Sequence, residues 1–140
     1  MSAFANTDEL QTIMVELWNT IKSDPSMSTK LLNSKLIVQF RYREPDGIIT
    51  IDCRDGKQFL VYGGDVKIKP EVEMAMRSDV AHEFWIGKVN VPVAILTGKM
   101  MAKGPVNKAL ALLPVLKPAF DIYPEIYKRH RGAVSTKVSG

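Results

Sequence analysis

One cysteine is all that 140 residues supply, which excludes an internal disulfide framework and, without a second thiolate, a cysteine-built zinc site. Cys53 closes the alternating run IITIDC, the setting of a small buried hydrophobe rather than a reactive thiol. Histidine is almost as scarce, with His82 and His130 the two present. His82-Glu83 opens like a zincin helix, but the position of the second histidine holds Ile86, so no metal is expected. No apolar run approaches the ~18 residues of a membrane span. The N-terminal MSAFANTDEL lacks the basic head and apolar stretch of a secretory signal, which reads as a cytoplasmic protein.

Phosphate and hydrolase motifs are missing too. A phosphate loop needs a glycine five residues before its glycine-lysine step and a hydroxyl after it. Around Gly98-Lys99 those positions hold Val93 and Met100. Gly63-Gly64 lacks the third glycine of a dinucleotide fingerprint, and no serine sits in a G-x-S-x-G elbow. The run Lys128-Arg129-His130-Arg131 follows two tyrosines, a combination that suits phosphates and stacked bases. Yet Phe120, Tyr123 and Tyr127 fall at helical spacing, the pattern of core packing, and no nucleic-acid partner is expected.

What is present is an ordinary globular composition, 46% hydrophobic and 24% charged, in a length that suits one domain. A chain of this size buries roughly 68–70% of its unfolded surface, enough for a core with a cavity in it. Charge is unevenly divided. Lysine and arginine number 10 against 13 acids up to Ile86, and 9 against 2 from Gly87 onward, a net of −3 and then +7. The basic half suits an anionic membrane or a phosphorylated ligand.

Asn6 and Glu9 form a capping box, and Leu10, Ile13, Met14, Leu17 and Ile21 follow at helical spacing, predicting a helix to about Lys22 that Asp24-Pro25 stops. The period then changes to two. Leu36, Val38, Phe40 and Tyr42 share one strand face, and Ile49, Ile51 and Cys53 share a face of the next, joined by the turn Glu44 to Gly47. Arg54 to Lys57 reads as a type I′ hairpin turn into a third strand, Gln58 to Tyr62. Val72, Met74 and Met76 alternate with charged neighbours in a fourth, so the sheet has helices on one side only and the class is α+β. A short helix from Ser78 or Asp79 ends at Gly87. KVNVPVAILTG reads equally as a strand, on the alternation of Val89, Val91, Val93 and Ile95, or as a helix capped by Asn90 with Pro92 in its first turn. An edge strand, Lys99 to Lys103, and a helix after Gly104-Pro105 follow, and Pro114, Pro118 and Pro124 divide the remainder. The single domain has its core over about residues 8–128, with 132–140 expected to fray.

The segment WIGKVNVPVAILTGKMMAKGPVNKALALL, Trp85 to Leu113, resembles the sterol carrier protein type-two family. Trp85, Gly87, Pro92, Ala94, Gly98, Lys99, Gly104 and Leu110 fall in that family's order and spacing. The resemblance selects helix for Val91 to Thr97. It implies a five-stranded sheet covered by helices on one face and enclosing an apolar tunnel, and a non-catalytic role: binding and transfer of a sterol, fatty acid, phospholipid or fatty acyl-CoA, with no cofactor.

Burial of a lipid tail asks for little beyond a dry cavity, and the seven methionines suit one that repacks around its contents. Met74, Met76, Met100 and Met101 lie on or beside strands, where alternation lets only one of the last two face inward. Phe84, Trp85, Ile95 and Leu96 are the helical lining candidates of the middle segment, and Leu113, Phe120, Ile122 and Tyr123 those of the last. Lys99, Lys103 and Lys108 are candidates for a transient anionic membrane or a coenzyme A phosphate. The rival reading is an enzyme, or enzyme accessory, acting on acyl-CoA thioesters with His82 as acid-base, since Asp79, His82 and Glu83 fit the outer face of one short helix. Oligomeric state is open.

Overall fold

The structure is a computed structural model that describes residues 2–139, with side chains described as far as Arg131. Its first helix begins as the capping box requires. The Glu9 N–H donates to Asn6 Oδ1 at 2.9 Å and the Ala5 N–H to Glu9 Oε1 at 3.0 Å, and helix α1 runs Thr7–Lys22. Leu10, Ile13, Met14, Leu17, Trp18 and Ile21 form its buried stripe. Asp24-Pro25 stops α1 and also starts a second helix, α2, Pro25–Ser34. The Asp24 carboxylate accepts the Ser26 N–H at 3.0 Å, and proline's fixed φ and missing N–H suit the first helical position. This helix is not anticipated from the sequence, because its apolar stripe amounts to Met27 and Leu31.

Strands β1, Ile37–Arg43, β2, Gly47–Asp52, β3, Leu60–Gly63, β4, Val72–Arg77, and β5, Met100–Lys103, form one sheet in the order β3-β2-β1-β4-β5. All neighbours are antiparallel except β1 and β4. Register builds the inner face in rows. Ile49, Phe40, Met74 and Ala102 lie side by side, and Tyr42, Met76 and Met100 form the next row. The opposite face carries Arg41, Glu73, Met101 and Lys103, with an Arg41–Glu73 ion pair at 3.6 Å. The link from β2 to β3 is longer than a two-residue hairpin and is not type I′. Gly56 takes positive φ but Asp55 does not, and the Asp55 carboxylate instead accepts the N–H groups of Lys57 and Gln58, each at 2.8 Å, which delays β3 to Leu60.

Helix α3, Ser78–Trp85, follows β4 directly. Helix α4, Val91–Leu96, resolves the ambiguous stretch: Asn90 Oδ1 accepts the Val93 N–H at 3.1 Å, and Pro92 occupies the first turn. After β5 come α5, Val106–Leu110, a single 3-10 turn, Leu113–Leu116, and α6, Ala119–Ser139. Pro124 lies within α6 instead of ending it. It supplies no N–H for the Phe120 carbonyl, but the buried Tyr123 and Ile126 on either side hold the helix in place. The tail expected to fray continues α6 as helical backbone to Ser139, while Gly140 and the side chains of 132–139 lie outside the described residues. The basic run in the middle of α6 is tied to α1. Arg129 and His130 pair with Glu16, and Arg131 pairs with Glu9 at 2.9 Å.

Candidate functional site

The inner sheet face and the helices above it do not fill the space between them. Phe40, Tyr42, Met74, Met76 and Met100 form the floor of a cavity of about 90 Å³. Trp18 of α1, with Ala81, Phe84 and Trp85 of α3, forms one wall. Val91 of α4, Ala109 and Leu110 of α5, and Leu113 and Leu116 of the 3-10 turn close it from above. Aromatic rings lock much of this wall. Trp18 stacks on Phe40 at 5.7 Å between centroids, and Trp85 meets Trp18 edge-on at 5.5 Å and Phe84 at 4.8 Å. Among the described residues no charged side chain borders the cavity. The resemblance implies a tunnel, and what stands here is smaller than the ~150 Å³ that admits benzene.

Of the residues that the sequence marks as lining candidates, Met74, Met76, Phe84, Trp85, Met100 and Leu113 border the cavity. Phe120 stands behind the wall, edge-on to Phe84 at 5.5 Å, and Ile95 and Ile122 pack half-buried against the core. Tyr123 is fully buried and turned toward His82. Two candidates face solvent. Leu96 is 86% exposed, because Val91 and Ala94 take the inward side of its short helix. Strand alternation places Met101 outward at 59% exposure and Met100 inward at 3%. Lys99, Lys103 and Lys108 are all exposed, Lys103 on the outer sheet face opposite Glu73. Trp18, Phe40 and Tyr42 border the cavity without having been singled out. For the two strand residues the signal was present, since both share the inward alternation of β1.

His82 does not sit on a solvated outer face. Its ring lies among Phe4, Tyr123 and Tyr127, and Nδ1 shares a hydrogen bond of 2.7 Å with the Tyr123 hydroxyl. Asp79 is engaged elsewhere, its carboxylate accepting the Ala3 N–H at 2.7 Å. Burial holds the His82 pKa below the ordinary imidazole value and outweighs the opposing pull of Asp79 and Glu83. The fold therefore resists a proton that the unfolded chain takes up below about pH 6.5. Stability contributed by neutral His82 is lost as pH falls through that value toward the lower folded one. Urea midpoints measured at pH 7.5 and 5.5 are expected to fall less on acidification in His82→Gln than in the wild type, and an equal fall in both would refute this.

No helix among the described residues is long and apolar enough to cross a membrane. Comparison with solved structures finds the same architecture in several proteins. Sterol carrier protein 2 from Yarrowia lipolytica, in its apo form, aligns over 85% of this chain and 94% of its own at a TM-score of 0.62 and 19% identity. The sterol carrier protein domain 2 of Helicoverpa armigera aligns over 84% and 94% at a TM-score of 0.65 and 21% identity. Palmitated SCP2L2 from Aedes aegypti aligns over 76% and 93% at a TM-score of 0.51 and 19% identity. No curated protein sequence matches the chain. The model of the SCP-2 sterol transfer family matches residues 17–117, which span the sheet, the cavity and the short helices above it, and the chain belongs to that family.

Proposed function

We propose that this protein is a non-catalytic lipid carrier, holding the apolar part of a sterol, fatty acid or fatty acyl-CoA between its sheet and its short helices. The observation that carries the reading is the cavity itself, a partly enclosed space bordered, among the described residues, by uncharged side chains. About a dozen buried methylenes release roughly 10 kcal/mol before ordering costs, which suffices without covalent chemistry. A whole tail does not fit in 90 Å³, so loading requires the roof to part. The roof suits that, since no residue of α5 is buried, and on the floor Met74, Met76 and Met100 are unbranched side chains that repack readily. The Aedes aegypti relative is described with palmitate, which makes a fatty acid the first ligand to try.

The exposed Lys99 and Lys108, near the roof in sequence, fit a transient anionic membrane or a coenzyme A phosphate, in a cytoplasmic setting. The acyl-CoA enzyme reading is not favoured, because His82 is bonded to Tyr123 and hemmed in by aromatic rings. Native mass spectrometry of gently purified protein, followed by palmitate titration, tests the proposal. A co-purifying lipid mass or saturable 1:1 binding is expected. Failure of both would end it.

A further inference from the structure

Helix α4 has two unlike faces. Val91 borders the cavity and Ala94 is buried on the same side, while Val93 and Leu96, one turn apart, stand 50% and 86% exposed on the other. These are two of the three large apolar side chains exposed among the described residues, and the third, Met101, belongs to the outer face of the sheet. The charge around α4 is one-sided. From Gly87 to Phe120 the chain has five lysines and no acid. Lys88 and Lys99 flank α4 and Lys108 lies on α5, all three exposed, and none is in an ion pair among the described residues. The basic cluster of α6 differs, since Arg129, His130 and Arg131 are paired with the acids of α1. The last turn of α4 also satisfies its own carbonyls. Those of Val93 and Ala94 accept from the Thr97 hydroxyl at 2.9 and 3.4 Å, and that of Ile95 accepts the Gly98 N–H at 3.2 Å. Leu96 can enter an apolar medium without stranding those three groups.

We infer that the rim formed by α4 docks on an anionic bilayer, with Val93 and Leu96 entering the headgroup boundary and Lys88, Lys99 and Lys108 resting on anionic headgroups. This rests on the carrier reading above and gives it a membrane-facing side. Two side chains fall far short of the ~800 Å² that a stable protein partner covers. A bilayer surface asks for less, because shallow apolar insertion and attraction of lysines to anionic lipid add together. The same helix is cavity wall on one face and docking rim on the other, so a lipid leaving beneath α4 passes into the bilayer without crossing water.

Co-sedimentation with vesicles tests this, using phosphatidylcholine alone and phosphatidylcholine with one-third phosphatidylserine. Binding is expected on the mixed vesicles and about tenfold or more weaker on the neutral ones. Leu96→Asn is expected to weaken binding to the mixed vesicles about tenfold, and Lys88→Gln or Lys99→Gln about fivefold each. In Leu96→Trp the new indole is expected to move its emission to the blue on the mixed vesicles, against the constant background of the buried Trp18 and Trp85. Leu96 does not border the cavity, so palmitate affinity in solution is expected to stay within about twofold of wild type in Leu96→Asn, while delivery of a fluorescent fatty acid to the mixed vesicles slows. Undiminished vesicle binding by Leu96→Asn, with an unmoved Leu96→Trp emission, overturns this surface. Equal binding to both vesicles overturns the lysine contacts. A wild-type dimer that Leu96→Asn dissociates assigns the patch to a second copy and overturns the docking. Palmitate bound in solution with no vesicle binding overturns the docking and leaves the carrier reading intact, whereas vesicle binding without palmitate binding supports the docking and defeats the carrier reading.

Discussion

Ala81→Met is expected to stabilise the free protein and, in the same molecule, to weaken fatty-acid binding about 50-fold. Ala81 is 2% exposed and sits on the cavity wall contributed by α3, so a longer unbranched side chain there has the 90 Å³ space to enter. Filling a void recovers packing and commonly adds about 0.5–2 kcal/mol of stability. The same volume is then denied to the ligand. Displacing roughly three methylenes at ~0.8 kcal/mol each costs ~2.4 kcal/mol of binding, which is the factor quoted. Thermal melts and displacement of a fluorescent fatty acid measure the two sides. A well-folded Ala81→Met protein with wild-type affinity would place the lipid somewhere other than this cavity.

Gly104→Ala is expected to cost more than about 3 kcal/mol and to lower the melting temperature by about 10 °C or more. Gly104 has φ +93°, and a Cβ built there would stand 1.9 Å from the Glu71 carbonyl oxygen. That oxygen has nowhere to retreat, since the Glu71 N–H is bonded to the Ile37 carbonyl at 2.9 Å, tying the approach to β4 onto β1. Relief requires β5 to pull away from β4, taking Met100 out of the cavity floor. Gly98→Ala is the control. Its φ is +81° but nothing lies within 4 Å of the added carbon, so it bears the backbone cost alone, about 1 kcal/mol. Equal urea midpoints for the two variants would show that close approach at Gly104 is not what holds β5.

Much of the architecture was legible because the period of the apolar residues is itself geometry. The stripe from Leu10 to Ile21 fixes one face of α1, and the alternation of Phe40, Tyr42, Met74 and Met76 fixes the face of the sheet that meets it. Where the pattern was silent, a local polar contact decided. Asp24 capping Ser26 starts α2, and Asn90 capping Val93 makes α4 a helix although its valines alternate like a strand. The cavity was legible only in part. Strand residues announce which way they face, so Met74 and Met76 could be named and one of Met100 and Met101 set inward, whereas Leu96 and Ile122 needed the angle at which their helices lie. Trp18 was hidden for another reason. It stands in the stripe of α1 as one more buried residue, and nothing in a one-dimensional pattern distinguishes an indole packed on core from one at the edge of a void.

The two outer strands of the sheet, β3 and β5, are each four residues long. A neighbouring molecule seeking to extend the ladder finds few free backbone groups on either rim, and on β5 it meets the charge of Lys103 as well. Such short, guarded margins disfavour edge-to-edge pairing between copies of the chain.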